Sequence, residues 1–344
     1  MEKKREKSKR VTITQVAEAA GVTIATVSHV INGTAPISAE TIARVNEVIE
    51  ELHYVPNMTA KSLRSKRSKS IGVLIPDLNN NFYYRILSVF SGLAFEHGFI
   101  VQIFGYEDSV EKELQAIYNL ASNSVDTVVI LNGHGDEKGI RHLLDLHKNV
   151  ILADRNSDIP GVKCLYFDNS KAIFDGIKLL KDKGYRNIGF LAENPEFGNV
   201  KERLAAYKEA LQANELTYKE ENVFMYSQPS VGAMLNGYHA VKNIVGKRTR
   251  EEMPDGLIAM SDLLAIGAMK AFDELGYGIP DDIGIISYDN LNISSFVRPG
   301  LTTIEQSQTA MGEALFRVVK AVYEGDAVEE KVVLPQTLIV RESC

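Results

Sequence analysis

From Ser70 onward the chain alternates short β-branched runs with amphipathic helical patterns, and this alternation restricts the fold more than any other feature. The runs SIGVLIP, FIVQIFGY, DTVVIL, NVILA, CLYF, NIGFLA, NVFMY, GLIAM, IGIISY, LTTIE and KVVLPQTLIV read as strands. Between them FYYRILSVFSGLAFEHG, IFDGIKLLKDKG, VKERLAAYKEALQA and LLAIGAMKAFDELG read as helices. Strands that are apolar throughout need cover on both faces, which means parallel sheets with helices on either side. About 270 residues are too many for one such sheet, and nothing repeats at a solenoid period. The expected core is α/β: two doubly wound parallel-sheet lobes, about 70–165 and about 166–300, with their strand ends facing a cleft.

An acid follows the apolar run repeatedly: Asp77 after VLIP, Asp154 after VILA, Asp168 after CLYF, Glu193 after GFLA, Asp262 one place after IAMS, and Asp289 after IISY. Ligands of open α/β sheets bind outside the carboxyl ends of the strands, so these acids are candidate ligand contacts. An Asp leaving a strand also caps the helix that follows, and that reading suits Asp262, directly before LLAIGAMKA, better than it suits Asp154 or Asp289.

The first 56 residues carry a different pattern. In Val11 to Asn32, VTITQVAEAAGVTIATVSHVIN, Thr12 stands three residues ahead of Gln15 as a capping-box start, and Gly21 suits a sharp interhelical turn. Thr23 caps a second helix whose Val27, Val30 and Ile31 face the first, leaving Ile24, Ala25, Ser28 and His29 outward. Ser38 caps a third helix with a stripe of Ile42, Val45, Val48, Ile49 and Leu52 that closes a three-helix core. This is a helix-turn-helix pattern, and MTAKSLRSKRSKS after it carries Lys61, Arg64, Lys66, Arg67 and Lys69 with no acid. Residues 1–70 hold 12 Lys or Arg against 7 Asp or Glu, a net of +5, whereas the remainder holds 26 against 38, a net of −12. A basic head on an acidic body suits a phosphate-binding module attached to a small-molecule-binding core.

The stretches VTITQVAEAAGVTIATVSHVING and YVPNMTAKSLRSKRSKSIGVLIPD, with DRN at 154–156, RLAAY at 203–207, SDLLAIGAMKA from 261, SYDN at 287–290 and RPGLTTIEQ from 298, resemble the lactose-repressor (LacI/GalR) family of bacterial transcription regulators along the whole chain. The resemblance implies a helix-turn-helix head at 1–56, a hinge helix and linker at 57–69, and a bilobal effector-binding and dimerisation core at 70–344 of the periplasmic-binding-protein type I-like kind. Its chain would cross between lobes three times: about 70–165 plus a crossover near 295–325 in one lobe, about 166–294 plus the C-terminal strand in the other. In the head, Thr12, Thr23, Ile24, Ala25, Thr26, Ser28, His29 and Asn32 would meet DNA, base readout falling to Ser28 and His29 and backbone contacts to Thr26 and Asn32. In the hinge, Asn57, Lys61 and Leu63 would follow, with Leu63 wedged into the minor groove. Effector contacts would come from Asp77, Phe82, Asp154, Arg155, Asp168, Arg203, Asp262 and Asp289. A carboxylate accepting from adjacent hydroxyls, an arginine fork and an aromatic face make a polyol site.

Partners expected on this reading are double-stranded operator DNA bound by a homodimer, and a small-molecule effector, a sugar first, with a purine or a protein corepressor as the alternative. Ser261 stands where many relatives have Asn, and there is no tryptophan to stack a ring, so the effector's identity stays open. A sugar-binding protein without DNA contacts would share the lobes but not the head. No phosphate-cradling glycine loop, nucleophile elbow or paired histidine is present, so neither an enzyme, a cofactor nor a metal is expected. No apolar run approaches the roughly 20 residues of a membrane span, and Cys164 and Cys344 form neither a disulfide framework nor a zinc pattern. The expected location is cytoplasmic.

Overall fold

The computed structural model describes residues 11–55, 68–107, 109–123, 125–134, 137–193, 198–228, 232–245 and 247–344. They fall into two units, one ending at Ser68 and the other starting at Lys69.

In the first unit Thr12 caps α1 (Ile13–Ala20) through a complete capping box with Gln15, and Gly21 turns the chain at φ +64°. Thr23 caps α2 (Ile24–Asn32) and Ser38 caps α3 (Ala39–Glu51). Each cap satisfies amides that the helix cannot, which is worth about 1 kcal/mol. Val16, Ala17, Ala20, Val27, Val45 and Val48 are buried where the three helices meet, with Val30, Ile31, Ile49 and Leu52 half-buried around them. Ile42, expected in the α3 stripe, is 38% exposed instead, because it lies in the first turn of α3, before the helix reaches that core.

The second unit runs β1 (Ser70–Ile75), α4 (Asn81–Glu96), β2 (Ile100–Gly105), α5 (Val110–Ser122), β3 (Thr127–Leu131), α6 (Glu137–Asp145), β4 (Asn149–Ala153), β5 (Lys163–Phe167), α7 (Asn169–Asp182), β6 (Ile188–Ala192), α8 (Gly198–Ala213), β7 (Val223–Met225), α9 (Ala233–Val245), β8 (Gly256–Ala259), α10 (Asp262–Glu274), β9 (Gly284–Tyr288), β10 (Thr302–Gln306), α11 (Gln308–Glu324), β11 (Lys331–Leu334) and β12 (Gln336–Ile339). The first sheet has the order β2-β1-β3-β4-β5-β11 and is parallel throughout. The second has the order β7-β6-β8-β9-β10-β12, with β12 antiparallel to β10. Alternate residues of one strand serve opposite cores, as a period of two requires. Val73, Val129 and Ile151 join the cluster formed with α4 and α11, while Leu74, Val128 and Val150 join the one formed with α5 and α6. Burial on both faces is why these strands read as unbroken apolar runs.

The chain passes between the sheets near Asp168, Ser307 and Pro335, and three expectations are corrected there. Tyr166 and Phe167 belong to β5 of the first sheet, and β10 (Thr302–Gln306), expected with the first lobe, pairs with β9 in the second. KVVLPQTLIV is not one strand. Pro335 has no N–H to continue a ladder, so Lys331–Leu334 pairs with β5 and Gln336–Ile339 pairs with β10 in the other sheet. Among the described residues no helix is long and apolar enough to cross a membrane, and no group of three or more His, Cys, Asp or Glu is arranged to hold a metal.

Candidate functional site

In the head, the outward face of α2 is small and carries no acid. Ile24 is 43% exposed, Ala25, His29 and Asn32 are exposed, and Thr26 and Ser28 are half-buried. The Thr23 and Thr26 hydroxyls pair at 2.9 Å, and Thr23 Oγ accepts from the Thr26 amide at 3.1 Å, so both threonines organise the helix start. His29 Nδ1 is held by the Thr34 hydroxyl at 2.9 Å. Asn32 turns its amide back onto the Ser28 carbonyl at 2.6 Å. Thr12 is held by Gln15. Asn57, Lys61 and Leu63 lie outside the described residues.

In the second unit the carboxyl ends of both sheets face a common cleft, lined among others by Asp77, Phe82, Tyr83, Asn132, Asp154, Glu193, Asn199, Arg203, Asn236, Ser261, Asp289 and Gln306. Strand ends supply much of it: Asp77 two residues after β1, Asn132 after β3, Asp154 after β4, Glu193 after β6, Asp289 after β9, and Gln306 closing β10. Asn132, Asp154 and Asp289 leave their strands with φ of +58°, +59° and +106°. That left-handed region is tolerated best by Asn and Asp among residues with a side chain, and strained backbone of this kind clusters at ligand sites.

Arg203, on α8, is 3% exposed and stretches across the second lobe. Nε donates to Asn169 Oδ1 (2.9 Å), Nη1 to the Met260 carbonyl (3.1 Å) and Nη2 to Gln306 Oε1 (3.0 Å), and Cζ lies 4.0 Å from the centre of the Tyr288 ring. Across the cleft Asp154 accepts from the Tyr83 hydroxyl (3.3 Å) and from Asn199 Nδ2 (3.5 Å). Phe82 packs edge-on against Tyr83, 5.2 Å between ring centres. Burial raises the Asp154 carboxyl to about 6 even though the Arg203 charge opposes the shift. Burial, and then the charge of Asp262, push Asp289 well above the usual carboxylate range. Three buried polar atoms on the lining have no partner: Asn132 Oδ1, Asn199 Oδ1 and Gln306 Nε2. Buried polar atoms are nearly always paired, so orphans converging on one cleft mark a ligand's place.

Of the acids and other residues expected here, Asp77, Phe82, Asp154, Glu193, Arg203 and Asp289 line the cleft, and Asp168, Asp262 and Arg155 do not. Asp168 caps α7 by accepting from the Lys171 amide (3.3 Å) and borders a separate pocket beside β12. Ser261, not Asp262, caps α10. Asp262 is fully buried and accepts from the Ser287 hydroxyl, the Ser294 hydroxyl (2.5 Å), the Thr303 hydroxyl (2.6 Å) and the Leu291 amide (2.7 Å), which makes it the knot of the second lobe. Arg155 points back toward the Asn132 carbonyl at 3.5 Å. Tyr83, Asn132, Asn199, Asn236 and Gln306 join the lining without having been singled out by the sequence reading. Asn132 and Gln306 carry the same signal as the acids, a polar residue where an apolar strand ends. Asn236 reaches the cleft because α9 and α10 touch backbone to backbone: a Cβ on Gly237 would lie 2.0 Å from the Leu264 carbonyl oxygen, and one on Gly267 1.8 Å from that of Met234.

The raised Asp154 carboxyl has a consequence for stability. Its folded pKa lies above the ordinary value of 3.8, so its contribution is complete below about pH 4 and is lost as pH rises through about 6. The unliganded chain is therefore expected to lose about 3 kcal/mol between pH 4 and 7 relative to an Asp154→Asn variant. Parallel denaturant titrations of the two proteins across that range check it; identical pH profiles would refute it.

A helix-turn-helix head followed by two doubly wound lobes around a polar cleft defines the class: a DNA-binding regulator with an effector-binding core. Residues 12–57 match the model for bacterial regulatory proteins of the lacI family, and residues 177–344 match that for a periplasmic binding protein-like domain. The chain is 30% identical over 337 residues to catabolite control protein A of Staphylococcus xylosus, covering 96% of this chain and 98% of that protein. It is 32% identical over 317 residues to the transcriptional repressor PurR of Edwardsiella ictaluri (strain 93-146), covering 89% and 88%. Among solved structures, the lac repressor dimer bound to operator and the anti-inducer ONPF is similar with a TM-score of 0.84 at 26% identity, covering 97% and 99%. A complex of the transcriptional regulator CelR with cellobiose is similar with a TM-score of 0.71 at 27% identity, covering 97% and 100%. The chain belongs to the LacI family of bacterial transcription regulators.

Proposed function

We propose that this protein is a cytoplasmic repressor that binds a palindromic operator as a homodimer and is switched by a sugar or sugar derivative in the interlobe cleft. The observation that carries the reading is the set of buried, unpartnered amide atoms of Asn132, Asn199 and Gln306 on a cleft already furnished with Asp154, Asp289 and Arg203. Residues 1–56 act as the DNA reader, 57–69 as the hinge and 70–344 as the effector-binding and dimerising core. Asp77, Phe82, Asp154, Arg203 and Asp289 hold the effector, and no catalytic step is assigned. The similar lac repressor dimer is bound to operator and an anti-inducer, and the similar CelR is bound to cellobiose; the cellobiose complex supports a sugar over a purine. An effector that prefers one lobe arrangement changes operator affinity by that preference and no more.

The test is selection of DNA from a randomised pool by the purified chain, with and without a sugar panel. Recovery of a palindrome whose retention changes with one sugar is the expected result; no enrichment in any condition would rule out the operator reading. His29 provides a sharper test. An imidazole on the outward face of α2 reads a base edge with one nitrogen, whereas an arginine reads guanine with two donors. His29→Arg is therefore expected to shift the selected half-site at one position, with a discrimination change of about 1–3 kcal/mol. An unaltered half-site would remove His29 from base readout.

A further inference from the structure

The chemistry lining the cleft narrows the ligand further, resting on the reading that this cleft is the effector site. Among the described lining residues Asp77, Asp154, Glu193 and Asp289 are acidic and Arg203 is the one Lys or Arg. Most of the donor capacity of Arg203 is spent inside the protein. Three of its five N–H groups already donate to Asn169, Met260 and Gln306, leaving one on each terminal nitrogen, and one face of the guanidinium is covered by Tyr288. Besides what it offers the effector, it fixes Gln306 and the end of β8 in place.

The groups that do lack partners are neutral. Asn132 and Gln306 are 3% and 1% exposed, and together with Asn199 they offer two acceptors, Asn132 Oδ1 and Asn199 Oδ1, and one donor, Gln306 Nε2. With the carboxyl oxygens of Asp154 and Asp289 added, the surface is rich in acceptors, and its four acids outnumber its single arginine. Hydroxyls meet such a surface by donating; phosphate and carboxylate oxygens only accept, and they bring a negative charge to a lining of four acids and one arginine. A protonated Asp289 adds a single donor, which does not change that balance. The Asn236 amide is already committed, donating to Glu193 Oε1 (2.7 Å) and accepting from the Gln228 amide (2.9 Å). We propose that the cleft takes a compact ligand with several hydroxyls and no negative charge, and rejects phosphorylated and carboxylated versions of the same skeleton.

An added anion at about 5 Å from a carboxylate, at an effective dielectric of about 20, weakens binding on the order of a hundredfold. The experiment is calorimetric titration of the full chain at pH 7.5 with pentoses, hexoses, alditols and disaccharides, their phosphate esters and uronates, and inorganic phosphate. Each is run on the wild type and on Asn199→Ala, which removes one orphaned acceptor. The expected result is at least one neutral binder, weakened about tenfold in Asn199→Ala, whose phosphorylated counterpart binds at least about a hundredfold more weakly. A phosphorylated or carboxylated compound that binds as tightly as its neutral counterpart, and loses affinity in Asn199→Ala, would overturn the inference and leave the cleft as the effector site. If no compound binds, or binding is indifferent to Asn199→Ala, the cleft reading fails and the inference with it.

Discussion

Replacing Asp262 with Ala is expected to cost about 3–5 kcal/mol of stability, the range for breaking a buried, fully hydrogen-bonded charge cluster. The carboxylate of Asp262 ties the first residue of α10 to β9 through Ser287, to β10 through Thr303, and to the turn at 291–294 through the Leu291 amide and the Ser294 hydroxyl. Three of those donors are hydroxyls that rotate to seek other acceptors; Ser287 already has the Thr302 carbonyl at 3.4 Å. The Leu291 amide has no such freedom and is left buried without a partner. Asp262→Asn keeps the shape but turns an NH2 group toward donors, so a smaller loss of about 2 kcal/mol is expected. Denaturant unfolding of both variants measures this. Midpoints equal to the wild type would show that the network is not what holds the second lobe together. The folded fraction of Asp262→Asn should still bind effector, because Asp262 does not line the cleft, with Asp289 less strongly raised once the Asp262 charge is gone.

Arg203→Met is expected to abolish the response to effector, with affinity reduced at least about a hundredfold, and to lower stability by about 3 kcal/mol. The methionine fills part of the volume but leaves Asn169 Oδ1, the Met260 carbonyl and Gln306 Oε1 without donors. Gln306 then has both ends of its amide unpaired, since Nε2 has no partner even in the intact protein. Loss of the positive charge also pushes Asp154 and Asp289 further toward their protonated forms, because the Arg203 charge is the largest influence opposing burial at both. Arg203→Lys is not expected to restore function. A single ammonium does not reproduce a planar fork that reaches three separately placed acceptors while stacked on a ring. The check is an effector titration alongside an operator-binding assay. The arrangement predicts a variant that still binds operator and no longer responds, and a fully responsive Arg203→Lys would contradict it.

The head is almost entirely legible in its residues alone. Thr12, Gln15, Gly21, Thr23 and Ser38 act within a few residues of themselves, and all five do what their type and spacing imply. Ile42 is the exception, and the reason is geometric: periodicity gives a face, not the length over which a neighbour covers it. The strand and helix alternation is legible for the same local reason. The rule that polar residues at strand ends face the cleft finds Asp77, Asp154, Glu193 and Asp289, yet misses Asn132 and Gln306 when it is applied to acids alone.

Local chemistry thus specifies the helix starts, the turn, the alternating α/β pattern and the strand-end positions from which a cleft is built. It does not specify which sheet receives each strand after the crossovers. Pairing partners such as Lys331 with Cys164, or Glu305 with Thr337, are chosen by packing between segments far apart in the chain. Nor does it separate Asp262 from Asp289. Both are acids just beyond apolar strands, and one is enclosed by hydroxyls from three segments while the other faces the cleft. Arg203 meets Gln306 across 103 positions and Tyr83 meets Asp154 across 71. A side chain's role at such a place depends on groups that only the folded chain brings within hydrogen-bonding distance.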